Sequence, residues 1–312
     1  MERRLVSDPR FEPEGAAFLK LLGPPEPTDH AALLESRASR PDPAIAGVPE
    51  PVAVRADVIV PLPEAPVRVR VYRNEAATPR PLLLWLHGGA FAGGTLDDID
   101  VACAGLALRS GVTVLSLEYR LAPEHPYPAA LHDTYDCLAW LREHGAAFGG
   151  DGRLLAGGQS SGANLVAAAC LLARDRGHTL VDRQVLCYPW LEFESDSESH
   201  RLYDDVLFHR DDDAWFKAQY MAGQEVTPYV SPLRAPSLTG LPPALILGAG
   251  VDPVRDDARR YAQRMADDGV DATYLEYADT PHAFLNFPGA LSAAWHAIGA
   301  IADDLTRFLG RP

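Results

Sequence analysis

Two segments of this 312-residue chain are almost entirely apolar, residues 82–87 (LLLWLH) and residues 112–119 (VTVLSLEY). A strand can be apolar on both sides only where other elements cover both faces of its sheet. The predicted strands are 52–60, 67–73, 82–87, 112–119, 153–158, 183–190, 242–250 and 272–277, and the predicted helices of this region are 100–111, 129–148, 162–174, 255–268 and 291–309. Strands that alternate with helices predict an α/β fold with a mostly parallel central sheet.

Two parts of the chain break this rhythm, and we expect both to lie outside the sheet. Residues 1–50 contain two short helical patterns, at 14–22 and 30–39, separated by a proline-rich link. The segment that begins at residue 191 is rich in charged and aromatic side chains and contains no strong strand before residue 242.

Composition excludes several classes of partner. The net charge is −15, and such a surface repels phosphate backbones and anionic lipids, so we expect no nucleic acid and no membrane as partner. No run of 18 apolar residues and no signal peptide occurs in the sequence. The four cysteines lie in apolar segments without metal-binding spacing, which favours buried thiols, no metal and a cytoplasmic location.

A glycine-bracketed serine follows one predicted buried strand. Gly158, Ser160 and Gly162 fit the GxSxG pattern of a nucleophile elbow, in which a sharp turn between strand and helix exposes the serine. The pattern alone is weak, because glycine-rich chains contain it by chance, but its place between a buried strand and an Ala-rich helix strengthens it. We predict Ser160 as a nucleophile.

A serine nucleophile needs a base and an acid that orients the base. Asp252 follows the strand 242–250, and His282 follows the last strand, so both are expected at the same sheet edge as Ser160. Asp256 and Asp257 compete for the role of the acid, but they fall in the first turn of a helix, where acids commonly complement the helix dipole. Asp279, three residues before His282, is better explained as a turn residue.

Donors for an oxyanion are predicted at two places. Gly88 and Gly89 follow the strand that ends at His87 and leave their backbone amides unobstructed, and the amide of Ser161 comes directly after the nucleophile. An ordinary glycine turn would also explain the motif. It would not explain why the motif follows a buried strand in a chain that also carries the elbow serine, an acid and a histidine.

These motifs together resemble the bacterial hormone-sensitive-lipase-like carboxylesterases of the α/β-hydrolase fold. The matching stretches are HGGAF (87–91), YRLAPEHPYPAAL (119–131), GGQSSGANL (157–165), SPL (231–233), LPPALILGAGVDPVRDDA (241–258) and HAF (282–284). The resemblance implies a mostly parallel sheet with helices on both faces and a helical cap. It implies that the cap is built from residues 1–50 and an insertion at 191–235, around a catalytic core of residues 51–190 and 236–312.

The resemblance also implies a serine carboxylesterase with the catalytic triad Ser160, Asp252 and His282, oxyanion donors Gly88, Gly89 and Ser161, and no cofactor. The expected substrate is a small-molecule ester with a short-to-medium acyl chain, and a homodimer is left open. The alternatives are an amidase, deacetylase or carbamate hydrolase with the same triad, or a non-catalytic receptor on this fold. Such receptors have generally lost the histidine, which this chain retains.

Three positions depart from the family pattern. Ala90 stands where a third glycine is usual, which leaves the two donor amides in place. Gln159 and Ser161 stand where the family usually has Asp and Ala, so a negative charge beside the nucleophile is missing. Glu124 and His125 are interpreted as contacts that fix their loop.

Overall fold

The computed structural model describes residues 1–74 and 79–310. One sheet runs through the described residues, with the strands β1 (Glu2–Val6), β2 (Val54–Val60), β3 (Val67–Arg73), β4 (Arg80–Leu86), β5 (Thr113–Glu118), β6 (Gly150–Gln159), β7 (Arg183–Cys187), β8 (Ala244–Val251) and β9 (Ala272–Pro281). Their order across the sheet is β1-β9-β8-β7-β6-β4-β5-β3-β2. Only the β2–β3 and β3–β5 pairs are antiparallel, and the other pairs are parallel.

Helices cover both faces of this sheet. They are α1 (Phe11–Leu22), α2 (His30–Ala38), α3 (Pro43–Ala46), α4 (Asp100–Ser110), α5 (Ala129–His144), α6 (Ser161–Asp175), α7 (Glu198–Tyr203), α8 (Asp212–Met221), α9 (Arg255–Asp267) and α10 (Ser292–Phe308). Strand β4 shows why both faces need cover. Leu82, Leu84 and Leu86 pack into the core formed with α5, α6 and α9, whereas Leu83 and Trp85 face the core formed with α1, α4 and α10. The predicted α/β-hydrolase fold class is confirmed.

The N-terminal segment differs from the prediction in one respect. Residues 1–50 were expected outside the sheet, but Glu2–Val6 pairs in parallel with β9 and forms the edge of the sheet. The sequence ERRLV carries three charges, so it lacks the apolar signature of a buried strand, and an edge strand needs none. The last strand is also longer than expected and contains Asp279, which is therefore a strand residue and not a turn residue.

The long connection between β7 and β8 contains α7 and α8 but no strand. It lies beyond the carboxyl ends of the parallel strands, as does α2 of the N-terminal segment, since residues of all three helices line one cavity above the site described next. Ligands of open α/β sheets bind at this edge.

Candidate active site

Ser160 lies on the turn that joins β6 to α6. Its backbone has φ 52° and ψ −118°, a conformation that L-residues rarely adopt. The two flanking glycines are required by close contact. A Cβ on Gly158 would lie 2.6 Å from the carbonyl carbon of Gly162, and a Cβ on Gly162 would overlap the carbonyl oxygens of Leu86 and His87. Strand and helix therefore approach so closely that only glycine fits on either side of Ser160.

The structure brings His282 and Asp252 to this serine. His282 Nε2 lies 2.9 Å from Ser160 Oγ, and His282 Nδ1 lies 2.8 Å from Asp252 Oδ2. The second carboxylate oxygen of Asp252 accepts the Val254 amide at 2.8 Å, so the carboxylate is held in place. All three side chains are buried, with 8% exposure at Ser160, 3% at His282 and none at Asp252. An acid, an imidazole and a hydroxyl in one hydrogen-bonded row can pass a proton from serine to histidine.

The two neighbouring acids of α9 have other contacts. Asp256 accepts the backbone amide of Ser199 at 3.0 Å and so joins α7 to α9. Asp257 accepts the amides of Leu191 and Glu192, each at 2.9 Å, and burial raises its pKa to about 8. Neither carboxylate is hydrogen-bonded to the imidazole of His282. Both instead attach the insertion to the core, a role that the sequence did not indicate.

The loop after β4 runs beside the serine. A Cβ on Gly88 would lie 3.3 Å from Ser160 Cβ and 3.2 Å from the carbonyl oxygen of Gln159, so the loop backbone and the elbow are in near contact. In the described part of the chain, the backbone amides of Gly88, Gly89 and Ser161 donate to no other group. Backbone amides that lie beside the nucleophile and have no partner are suited to bind a developing negative charge.

A cavity of about 450 Å³ opens above Ser160 and His282. Side chains from the N-terminal segment and from the insertion line it, including Leu33 of α2 and Phe216 of α8. Phe208 packs edge-on against the His282 ring, with centroids 5.5 Å apart. This volume falls within the range of small-molecule sites, about 300–1,000 Å³.

The aromatic side chains of the insertion, together with Trp190 directly before it, divide between two roles. Trp190, Phe208 and Phe216 line the cavity, whereas Phe193 and Trp215 do not. Phe193 stacks on Trp190 with ring centroids 4.7 Å apart and so supports the cavity wall from behind. Some of these rings therefore line the cavity, and Phe193 supports one that does.

A family model described as the alpha/beta hydrolase fold matches residues 83–286, which contain the elbow, the acid and the histidine. The chain belongs to this α/β-hydrolase family. The match and the relatives below confirm the resemblance to hormone-sensitive-lipase-like esterases.

Similar proteins of this hydrolase family carry esterase names. Carboxylic ester hydrolase LipN of Mycobacterium tuberculosis is 40% identical over 269 residues, which are 80% of this chain and 70% of LipN. Carboxylesterase NlhH of the same species is 35% identical over 252 residues, 78% of this chain and 79% of NlhH. Among solved structures, an alpha/beta hydrolase enzyme from the metagenome of Lake Arreo, Spain, has a TM-score of 0.88 and 33% identity, covering 96% of this chain and 98% of that one.

The contact between two side chains near the hydrolase elbow, Tyr188 and Gln159, was not predicted. Tyr188, which directly follows β7, donates its hydroxyl to Gln159 Oε1 at 2.5 Å and sets its ring edge-on to His282, with centroids 5.0 Å apart. Burial raises the pKa of Tyr188 well above its usual value, so it remains a neutral donor. Gln159, 1% exposed, thus joins the elbow to the packing around the histidine. The only sequence signal was the position of Tyr188 after a buried strand.

In residues 1–74 and 79–310, no group of three or more His, Cys, Asp or Glu side chains is arranged to hold a metal ion. No helix within the same ranges is long and apolar enough to cross a membrane.

Proposed function

We propose that Ser160, His282 and Asp252 form the catalytic triad of this hydrolase, and that it cleaves small-molecule esters through an acyl-enzyme. The chain is a serine ester hydrolase of the carboxylesterase type, as its similarity to carboxylic ester hydrolases indicates. The observation that carries the triad is the hydrogen-bonded row from Ser160 Oγ through the imidazole to Asp252, in the wall of a substrate-sized cavity.

In this proposal, His282 Nε2 takes the proton of Ser160 Oγ as the oxygen attacks the ester carbonyl carbon. Asp252 accepts the hydrogen bond from Nδ1–H, fixes the tautomer and stabilises the imidazolium. The tetrahedral intermediate collapses as its bond to the alcohol oxygen breaks, and His282 gives its proton to that oxygen. Water then adds to the acyl-enzyme with His282 as base, and the acid is released while the proton returns to Ser160.

The carbonyl oxygen becomes negatively charged in each tetrahedral intermediate. We assign its stabilisation to the amides of Gly88, Gly89 and Ser161, because these donors lie beside Ser160 and have no other acceptor among the described residues. Removal of one such donor typically costs about 10²–10³ in kcat, so the three amides account for a large part of the rate.

The cavity supports a substrate of limited size. We propose short-to-medium acyl esters, of roughly two to eight carbons in the acyl chain, because a cavity of small-molecule size would have to enclose the alcohol as well. In this view residues 1–50, apart from the edge strand β1, form the cap together with residues 191–235, around a core of residues 51–190 and 236–312. All four cysteines are buried and unpaired, which supports a reducing compartment, and we propose the cytoplasm. A homodimer is compatible with this site, since one chain supplies the whole triad.

The test is hydrolysis of p-nitrophenyl esters by single variants. Ser160→Ala and His282→Ala should each lower kcat by roughly 10⁴-fold or more, because the triad acts as a unit. Asp252→Asn should cost far more than the matched control Asp256→Asn, since only Asp252 contacts the imidazole.

A phosphonate ester that mimics the tetrahedral intermediate should label Ser160 alone, as read by peptide mass spectrometry. Most of the activity surviving in purified, folded Ser160→Ala would contradict the assignment of the nucleophile. A larger loss for Asp256→Asn than for Asp252→Asn would move the acid to Asp256.

A further inference from the structure

The loop that carries two of the proposed oxyanion donors has an unusual backbone. Three consecutive residues have positive φ: Gly89 at 124°, Ala90 at 51° and Phe91 at 63°. For residues with a Cβ, this left-handed conformation costs about 1–2 kcal/mol each. Such strain persists only where surrounding contacts determine the backbone. The contacts that hold this loop therefore decide where the amides of Gly88 and Gly89 point.

Part of the support is internal to the loop and its apolar surroundings. The amides of Ala92 and Gly93 both donate to the carbonyl of Gly89, at 3.0 and 2.6 Å. The ring of Phe91 is fully buried and stacks on Tyr220 of α8, with centroids 3.9 Å apart. These contacts hold the amides of Ala92 and Gly93 and the ring of Phe91. The carbonyl groups of Phe91 and Ala92 are bound by groups outside the loop.

Arg37 of α2 supports these two carbonyl groups, one directly and one through Ala122. Its Nε donates to the Ala92 carbonyl at 2.7 Å, and its Nη2 donates to the carbonyl of Ala122 in the loop after β5. Ala122 in turn donates its amide to the Phe91 carbonyl at 3.0 Å. One guanidinium thus holds the Ala92 carbonyl directly and the Phe91 carbonyl through one intermediate residue.

The remaining nitrogen of this side chain also has a partner. Arg37 Nη1 lies 2.8 Å from Glu124 Oε1, and the hydrogen bond lowers the pKa of that carboxyl group. The Arg37 side chain is only 17% exposed. Its three nitrogens therefore meet three acceptors on two loops, an arrangement that the planar fork of arginine can satisfy and the single ammonium of lysine cannot.

We propose that Arg37 is a positioning residue for the oxyanion donors, so that the N-terminal segment sets the rate of the chemical step in addition to covering the cavity. The inference rests on the function proposed above. Arg37 does not line the cavity, so it would act on the reaction through the loop and not through substrate binding. A residue of this kind affects kcat more than KM, because the oxyanion exists only in the transition state and the intermediates.

The experiment compares Arg37→Gln and Arg37→Lys with Arg10→Gln, in the full-length chain. Arg10 lies in the same segment, but within the described residues its side chain pairs only with Asp8, and it is 63% exposed. For both Arg37 variants we expect kcat to fall about 100-fold with KM within threefold, since a misplacement of about 1 Å can cost that factor. Arg10→Gln should match the wild type.

Two further measurements separate positioning from a general loss of structure. The inhibition constant of an alkylboronic acid, whose adduct with Ser160 places an oxygen among the same amides, should rise in proportion to the loss of kcat/KM. Added guanidinium ion at non-denaturing concentration should restore part of the activity of Arg37→Ala.

A kcat within threefold of wild type in Arg37→Gln or Arg37→Lys would overturn the inference. So would a loss of kcat/KM that comes from a raised KM while the inhibition constant of the boronic acid is unchanged. Failure of the proposed function would look different, because wild type and Arg10→Gln would then show no hydrolysis that depends on Ser160.

Discussion

Gly162→Ala is the substitution for which the structure gives the sharpest expectation. Gly162 is the second residue of α6, and a Cβ there would overlap the carbonyl oxygens of Leu86 and His87 and lie 2.7 Å from the Leu86 carbonyl carbon. Carbon atoms in ordinary contact are about 3.5–4.0 Å apart, so strand β4 and helix α6 would have to separate by about 1 Å. The atoms in the way are backbone, and no side-chain rotation can relieve the overlap.

Two consequences can be measured. Overpacking of this kind costs roughly 1–3 kcal/mol in the free energy of unfolding, which a thermal melt would show as a drop of several degrees. The same displacement moves Ser160 relative to the loop at Gly88, and about 1 Å of misplacement lowers the rate about 100-fold. We therefore expect kcat/KM for p-nitrophenyl acetate to fall by about two orders of magnitude, a larger effect than the loss of stability alone would produce in a protein that is still folded.

The matched control is Gly299→Ala. Gly299 lies within α10, and a Cβ there meets nothing within 4 Å. The substitution should raise the free energy of unfolding by about 0.5–1 kcal/mol, because glycine weakens a helix relative to alanine, and it should leave kcat/KM unchanged. Wild-type activity and stability in Gly162→Ala would refute the close approach of strand and helix at the elbow.

Two other predictions concern pH and substrate. The pKa of Asp257 is raised to about 8 in the folded protein, against about 3.9 in an unfolded chain, so between these values the folded state keeps a proton that the unfolded state releases. This group therefore makes the folded protein less stable as the pH rises towards 8. Melts of Asp257→Asn from pH 5 to 8 should lose that dependence, and an unchanged dependence would contradict the burial of a protonated acid. Initial rates on a triglyceride should show no increase when its concentration crosses the solubility limit, since a cavity of small-molecule size favours soluble esters with short-to-medium acyl chains. A sharp increase with a preference for long acyl chains would instead indicate a lipase.

Most of the core could be predicted from the sequence, because its strands must be apolar on both faces. Strand β4 is buried along nearly its whole length, and the predicted segment 82–87 differs from it by two residues at its start and one at its end. Strand β1 could not be predicted, because its residues are exposed at the sheet edge and their identity is only weakly constrained. The elbow could also be predicted from the sequence, because only glycine fits at positions 158 and 162.

The parts of the site that the sequence did not reveal depend on contacts between distant segments. Arg37 is one of two charged residues of α2, with Glu35, and nothing near it in the sequence indicates that its side chain reaches two core loops. Asp257 carries the expected signature of a first-turn acid, yet it is buried against the backbone of Leu191. Such roles follow from the packing of the segments around the core, which local patterns do not encode.

The pairing of β1 with β9 has a consequence for biosynthesis. Glu2 lies opposite Thr273, so β1 waits for a partner that leaves the ribosome some 270 residues later. Contacts of such long sequence separation form late, because the loop they close is large. Strand β1 is thus synthesised long before it can take its final place in the sheet. Strands β2 to β8 can pair before β9 and His282 have been made, so the nascent chain becomes a competent catalyst only after residue 282 has left the ribosome.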